Sequence, residues 1–250
     1  MAESKELVTA HALADALGLS VETIWKYTRD GKIPYIELGN RQYRYDLQEV
    51  IRALSGTTVR ESSNQYQRKK GKPFTYQDYL QLPDKPGYRY EVLEGILVKD
   101  PSPSVMHQRV SRRLHRILED YFWNADPDGE VFYAPLDTTF GDINVVQPDL
   151  FYISGKQKNI IKENRIDGPP ALIVEILSPT SRRKDRLQKM RIYQKAQVQH
   201  YWILDPEEKT LECFALREGA YTVVASGMEK DEVDPPDFSG LRIPLKDVLV

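Results

Sequence analysis

The chain has 250 residues, 40% hydrophobic and 29% charged: an ordinary globular mixture with room for one large domain or two unequal ones, not a disordered chain. No run of even ten apolar residues occurs, which argues against a membrane span or a secretory leader. The single cysteine, Cys213, excludes an internal disulfide, a CxxC pair and a cysteine-cage zinc site and fits a reducing, cytoplasmic setting; 35 basic residues against 37 acidic ones exclude a uniformly basic coat but not a local basic patch.

In chain order, Thr9 reads as an N-cap before a short helix whose apolar stripe is Leu13, Ala16 and Leu17, stopped at Gly18. Ser20 caps a second helix, with Thr23 as its N3 residue, so the capping box is incomplete. Ile24 and Tyr27 form its inward face, and Gly31 ends it. Two short helices joined through a glycine give a helix-turn-helix outline. Next come a strand, a tight turn at Gly39-Asn40, a second strand and a closing helix from about Asp46. That hairpin reads as a wing whose tip carries Arg41 and Arg44, residue types that reach phosphates or a minor groove.

Residues 55–72 carry five basic residues against one acid, few aliphatics and no periodicity, which predicts a basic tether. As a coil it would span roughly 25 Å root-mean-square. From Phe74 onwards, YRYEVLEGILV predicts two strands turning at Glu94-Gly95. A helix follows behind Ser104, with Val110, Leu114, Ile117, Leu118 and Tyr121 at helical spacing. EVFYAPLDTTF, NVVQPDLFYI and ALIVEIL read as strands, SRRKDRLQKMRIYQKA as a helix, and HYWIL, TLECFAL and AYTVVAS as further strands. Strands bracketing helices indicate an α/β sheet covered by helices.

Two strands carry an oddity. Asp149 interrupts VVQPDLFYI and Glu175 interrupts ALIVEIL, and an unpaired buried carboxylate costs several kcal/mol, so each needs a partner. Pro148 has no N–H, so the ladder should open just before Asp149. On adjacent strands about 4.8 Å apart, two such carboxylates could converge on one hard cation, and Mg²⁺ suits that donor set. The alternative is that Asp149 begins a turn and Glu175 pairs with Arg182 or Arg183. Glu91 likewise breaks an aromatic strand and could be a further ligand, a water base or half of an ion pair. His107 could approach a phosphate or pack, and Asp137 could line the pocket. Arg182, Arg183, Lys184 and Arg186 form a basic helix start that suits a polyanion or is a solvated face.

Two resemblances follow from these stretches. Residues 7–54, above all from Ser20 through Thr23-Ile24-Trp25-Lys26-Tyr27 to Lys32-Ile33-Pro34, resemble the excisionase/MerR-like winged helix-turn-helix of bacterial DNA-binding proteins. The resemblance implies that Thr23, Trp25, Lys26 and Arg29 face DNA; otherwise Trp25 and Tyr27 are core aromatics and Lys26 is solvated. Residues 74–249, through VVQPDLFYISGKQKNII and ALIVEILSPTSRRKDRLQKMRIYQKAQVQHYWILDP, resemble the Uma family of restriction endonucleases, within the PD-(D/E)XK nuclease superfamily. That implies a metal-dependent phosphodiesterase in which Asp149 and Glu175 hold Mg²⁺, with the Ile176 carbonyl as a further ligand. The superfamily pattern wants a lysine two positions after the glutamate, where this chain has Leu177. Lys189 resembles the family's usual lysine on the following helix; its alternative role is a surface pair with Asp185.

The sequence therefore predicts an α/β (α+β) protein: a winged helix-turn-helix at 1–54, a tether at 55–72 and a restriction-endonuclease-like mixed sheet flanked by helices at 73–250. The expected function is a Mg²⁺-dependent DNA endonuclease, with Mn²⁺ as a possible substitute, that acts through Asp149, Glu175, Lys189, Glu91 and His107. DNA is the expected partner, and a homodimer would be needed for simultaneous double-strand cuts. No glycine-rich nucleotide loop, HExxH or GxSxG motif is present. The rival readings are a DNA-binding regulator, or a mobile-element protein, whose nuclease-like half has lost catalysis.

Overall fold

The computed structural model describes residues 7–17, 19–30, 32–38, 43–47, 49–50, 53, 72–83, 87–179 and 181–249. The chain divides into two compact units, Met1–Ser63 and Asn64–Val250. The tether read at 55–72 falls, apart from Lys72, outside the described residues.

In the first unit, β1 (Leu7–Val8) precedes α1 (Ala10–Leu17) and α2 (Val21–Arg29), and β2 (Ile36–Glu37) and β3 (Tyr43–Asp46) follow. Thr9 and Ser20 cap the two helices: Thr9 Oγ1 accepts from Ala12 N–H and Ser20 Oγ from Thr23 N–H, each at 3.2 Å. The three strands form one antiparallel sheet in the order β1-β3-β2. β1 was not legible in the sequence, being two residues long with no alternation to read. The core gathers Leu13, Ala14, Ile24, Ile33, Tyr45 and Val50. Ala14, not the expected Ala16, is the buried alanine of α1, and Thr28 joins Ile24 on the inner side of α2, where its hydroxyl donates to the Ile24 carbonyl at 2.8 Å. Asp46 Oδ1 accepts from Glu49 N–H at 3.0 Å, which caps the closing helix where it was expected.

The second unit is built on two large sheets, with a two-stranded antiparallel ladder of Glu232–Val233 and Ile243–Pro244 near its end. Before them a single helical turn, α3 (Tyr76–Tyr79), carries a complete capping box from Thr75 and Asp78. The strands of the two large sheets are β4 (Tyr88–Leu93), β5 (Ile96–Pro101), β6 (Glu130–Tyr133), β7 (Thr138–Thr139), β8 (Val145–Val146), β9 (Leu150–Ile153), β10 (Ile166–Asp167), β11 (Leu172–Ile176), β12 (His200–Asp205), β13 (Thr210–Arg217) and β14 (Ala220–Met228). One sheet has the order β10-β7-β8-β4-β5 and the other β14-β13-β12-β11-β9-β6. In the larger sheet only β11 and β12 run parallel. EVFYAPLDTTF, read as one strand, is two strands of different sheets, β6 and β7, because Pro135 between them offers no N–H to a ladder. Pro148 breaks β8 from β9 in the same way.

Alternation along β11 decides what each face buries. Leu172, Val174 and Ile176 pack with Val110, Leu114, Leu118 and Phe122 of α4 (Val105–Ala125), while Ile173 joins Ile192 and Tyr193 on the other side. The four α4 residues recur at every fourth position, and burying each stabilises by roughly 1.5–3 kcal/mol. Glu175 shares the Ile173 parity, so it faces the helical segment that follows β11. This segment is not regular: Lys184–Lys189 forms a π-helical turn and α5 (Met190–Lys195) continues it. Residues five apart lie about 140° apart on an α-helix, whereas i→i+5 bonding stacks them. The π turn therefore brings Lys184 and Lys189 to one face.

Candidate active site

Asp149 and Glu175 meet through strand pairing. Leu172, Ile173 and Val174 of β11 oppose Tyr152, Phe151 and Leu150 of β9, so one further step puts Glu175 opposite Asp149. Both are buried. Asp149 Oδ2 accepts from Ile176 N–H at 2.9 Å and faces His107 Nε2 at 3.0 Å, while Arg89 Nη1 lies 3.4 Å from Oδ1. Burial alone would push the Asp149 carboxyl up; the His107 hydrogen bond and the Arg89 charge outweigh it and hold it at about 2.

Glu175 has a different environment. Its Oε1 accepts from Lys189 Nζ at 2.9 Å and from the Tyr193 hydroxyl at 2.5 Å. Burial pushes its carboxyl up to about 8; Lys189 opposes the shift, and the neighbouring charges of Asp185, Asp149 and Glu91 add to it. Lys189 is 1% exposed and also lies 2.9 Å from Glu91 Oε1. Burial acts to discharge this lysine, yet Glu175, Glu91 and Asp185 hold its pKa well above the ordinary value.

Glu91, fully enclosed on β4, is saturated: Oε1 takes Lys189 and the Gln147 N–H at 3.0 Å, and Oε2 takes Lys184 at 2.9 Å. Lys184 also bonds Asp100 on β5. Against burial, Lys184, Lys189 and Arg89 keep Glu91 well below the usual carboxylate range. The cluster thus sets five carboxylates (Glu91, Asp100, Asp149, Glu175 and Asp185) against three cations (Arg89, Lys184 and Lys189), and burial with neighbouring negative charge raises Glu175 and Asp100, so that protons take up part of the excess. It borders a cavity of about 200 Å³ lined by Arg89, Asp100, His107, Asp149, Ile176 and Asp185, among others. Asp185 Oδ1 is buried without a hydrogen-bond partner. Among the described residues no group of three or more His, Cys, Asp or Glu side chains stands arranged to hold a metal ion.

Comparison with known proteins bears on both units of the chain. A family model described as "Putative restriction endonuclease" (Uma2) matches residues 76–246, and a helix-turn-helix domain model matches residues 7–57. The chain belongs to the Uma2 family. The crystal structure of a "putative nuclease belonging to DUF820" from Anabaena variabilis ATCC 29413 shares the fold, with a TM-score of 0.58 at 22% identity over 71% of this chain and 98% of that one. No curated protein matches. Among the described residues no helix is long and apolar enough to cross a membrane.

Within the Uma2 domain the structure gathers Asp149, Glu175, Lys189, Glu91 and His107 into one cluster, of which Asp149 and His107 line the cavity. Three expectations need correction. Glu175 pairs with Lys189, not with Arg182 or Arg183. Lys189 is not a surface partner of Asp185, which lies 3.7 Å away, because the π turn carries it into the core. Most of the basic helix start is paired within the chain: Lys184, buried, by Glu91 and Asp100, and the partly exposed Arg182 by Asp205, Glu207 and Glu208 and Arg186 by Glu212. Asp137 accepts from the Tyr79 hydroxyl and the Gln147 amide, both at 2.8 Å, and does not line the cavity.

Sequence reasoning missed Asp185 and Tyr193 as members of the site. Their spacing from Lys189, four before and four after, was the available signal, since four residues make about one helical turn. In the helix-turn-helix unit Trp25 is 45% exposed and is no core aromatic; its ring meets His11 edge-on. Lys26 and Arg29 are exposed, Thr23 bonds Ser20, and Arg44 Nη1 donates to the Tyr43 carbonyl at 3.0 Å. Arg41 lies outside the described residues.

Proposed function

We propose that this protein is a Mg²⁺-dependent DNA endonuclease of the phosphodiester-hydrolysing kind, brought to DNA by its helix-turn-helix unit. The observation that carries this reading is the Lys189 ammonium 2.9 Å from Glu175, on the strand paired with that of Asp149. A helix-borne lysine thereby stands in for the residue that Leu177 does not supply.

Two observations test whether the residues suit a divalent cation. Carboxyl groups outnumber cationic side chains in the cluster by five to three, and Asp185 Oδ1 is a buried oxygen with no hydrogen bond. The fit extends to two carboxylates: Asp149 and Glu175, with the Ile176 carbonyl, would hold the ion, whose other positions would go to water and substrate oxygens, as Mg²⁺ prefers. Such an ion supplies charge stabilisation to the phosphate and a more acidic water. The remaining work belongs to the side chains. Ile176 N–H and His107 fix Asp149, Tyr193 fixes Glu175, and Glu91 holds Lys189 beside the carboxylates, where its charge opposes the negative charge that builds on phosphorus. Arg89 and His107, on the cavity wall, are donors for a phosphate oxygen. On α2, the exposed Trp25, Lys26 and Arg29 with Thr23 form the DNA-facing set, joined by Arg44. Simultaneous cutting of both strands would use two copies of the chain.

Incubation of plasmid and single-stranded DNA with Mg²⁺, Mn²⁺ or EDTA tests the reading. Metal-dependent nicking that Glu175→Ala abolishes supports it; equal nicking by that variant and the parent overturns the site. One observation favours a second reading, a DNA-binding regulator without catalysis: Lys189 is enclosed and occupied by two carboxylates. DNA binding with no cleavage under any metal would decide for it.

A further inference from the structure

The basic helix start after β11 is largely neutralised internally, yet a nuclease must hold a polyanion beside its cavity, and another helix offers the charge. Over residues 105–116, α4 carries Arg109, Arg112, Arg113 and Arg116 and no acid. Its N-cap Ser104 and its buried His107 line the cavity. At 100° per residue, Arg109, Arg112 and Arg116 fall within about 60° of one another, opposite the stripe of Val110, Leu114, Leu118 and Phe122. All three are exposed. Arg116 has an exposed i+4 contact to Asp120 at 3.8 Å, a geometry worth only a few tenths of a kcal/mol. From Arg109 to Arg116 the row runs about 10 Å, at 1.5 Å per residue.

We infer that Arg109, Arg112 and Arg116 on the outer face of α4 form the track that holds the sugar-phosphate backbone of the DNA strand entering the cavity. The inference rests on the nuclease reading above and adds the surface that grips the substrate. Helical spacing places the cations in a line, the helix start at Ser104 lines the cavity five residues before the first of them, and the apolar face beneath packs on the sheet that carries Glu175. A phosphate held at the first arginine is then about 7.5 Å along the helix axis from that cap. Guanidinium suits this role because its planar fork gives two parallel hydrogen bonds to a phosphate.

The test uses the full chain with a fluorescent 30-base-pair duplex in EDTA, so that binding is read without cleavage. The triple variant Arg109→Ala, Arg112→Ala, Arg116→Ala is compared with Lys156→Ala, Lys230→Ala, Lys246→Ala, which removes the same charge from exposed sites elsewhere. Each lost phosphate contact lowers the slope of log K against log salt by about 0.9, or roughly eightfold in affinity at 0.1 M salt. The arginine variant should lose about 2 to 3 in slope, and the lysine variant should match the parent. Equal slopes for the two variants overturn the track. If the parent cleaves DNA with Mg²⁺ and the arginine variant cleaves and binds as well as the parent, only the track fails. If the parent never cleaves while the arginine variant loses slope, the track stands and the nuclease reading fails.

Discussion

Glu91→Gln probes the buried charge lattice most directly. The parent carboxylate sits between two lysines that are each 1% exposed on their side chains, and it takes a backbone N–H as well. Glutamine keeps the shape and removes the charge. Lys184 then retains only Asp100, and Lys189 retains Glu175 with the more distant Asp185. Breaking a buried pair costs about 3–5 kcal/mol, and the remaining carboxylates put this case near the lower end. For a unit of this size each kcal/mol shifts the midpoint by about 2–4 °C, so the larger unit should melt about 6–12 °C lower. Circular dichroism melts at pH 7 read this directly. The pH dependence has a definite sign. The folded pKa of Glu91 is depressed, so its contribution is present above its ordinary value near 4.5 and is lost as pH falls through the folded value. The gap between parent and variant should therefore narrow on acidification below about pH 4.5. A variant within about 1 kcal/mol of the parent at pH 7 would refute the idea that Glu91 holds the two lysines.

Three further outcomes follow from other parts of the chain. Asp126 accepts from the Tyr152 hydroxyl and from Gly155 N–H, which hold its carboxyl below the ordinary value. Asp126→Asn keeps one accepting oxygen and, with solvent screening the charge, should cost up to about 1 kcal/mol at neutral pH, and the difference in urea midpoint should shrink as pH falls below about 3.8, where the parent loses its charge. Gly95 closes the β4–β5 turn at φ +74°, and an added Cβ would stand 2.3 Å from the Pro73 Cβ. Gly95→Ala should destabilise by more than the roughly 1–2 kcal/mol of a left-handed alanine, as a thermal melt would show. Replacing the exposed Trp25 and Lys26 by alanine should weaken duplex binding by about tenfold or more in an anisotropy titration while leaving the melting profile unchanged.

Where burial follows a simple period, the sequence is readable. Val110, Leu114, Leu118 and Phe122 lie one helical turn apart, and the alternation in β11 identifies Glu175 as a carboxylate facing a covered side of the sheet. Asp149 is legible for the same reason, since its apolar neighbours leave it no solvent face. The partners of these carboxylates are not legible. SRRKDRLQKM has the composition of a solvated helix, and nothing in its local pattern says that two of its lysines turn inward; that follows from i→i+5 geometry and from Glu91, some 93 positions away from Lys184. β1 is likewise set by pairing with β3, and a two-residue segment carries no period.

The leucine two positions after Glu175 has a structural consequence of its own. Leu177 is buried in the apolar cluster with Ile173, Tyr193 and Tyr201. An ammonium there would lack the carboxylate lattice that receives Lys189. Supplied from the helix, the same charge is held by Glu175 on one sheet and Glu91 on the other. Lys184 adds a second tie through Glu91 and Asp100, both on the β4–β5 hairpin. Lys189 is therefore a tie between the two sheets, and Lys184 ties the helical segment to the hairpin. Loss of Glu91 should loosen the hairpin and the Lys189 position together, so destabilisation and any change at the cavity should appear in the same variants.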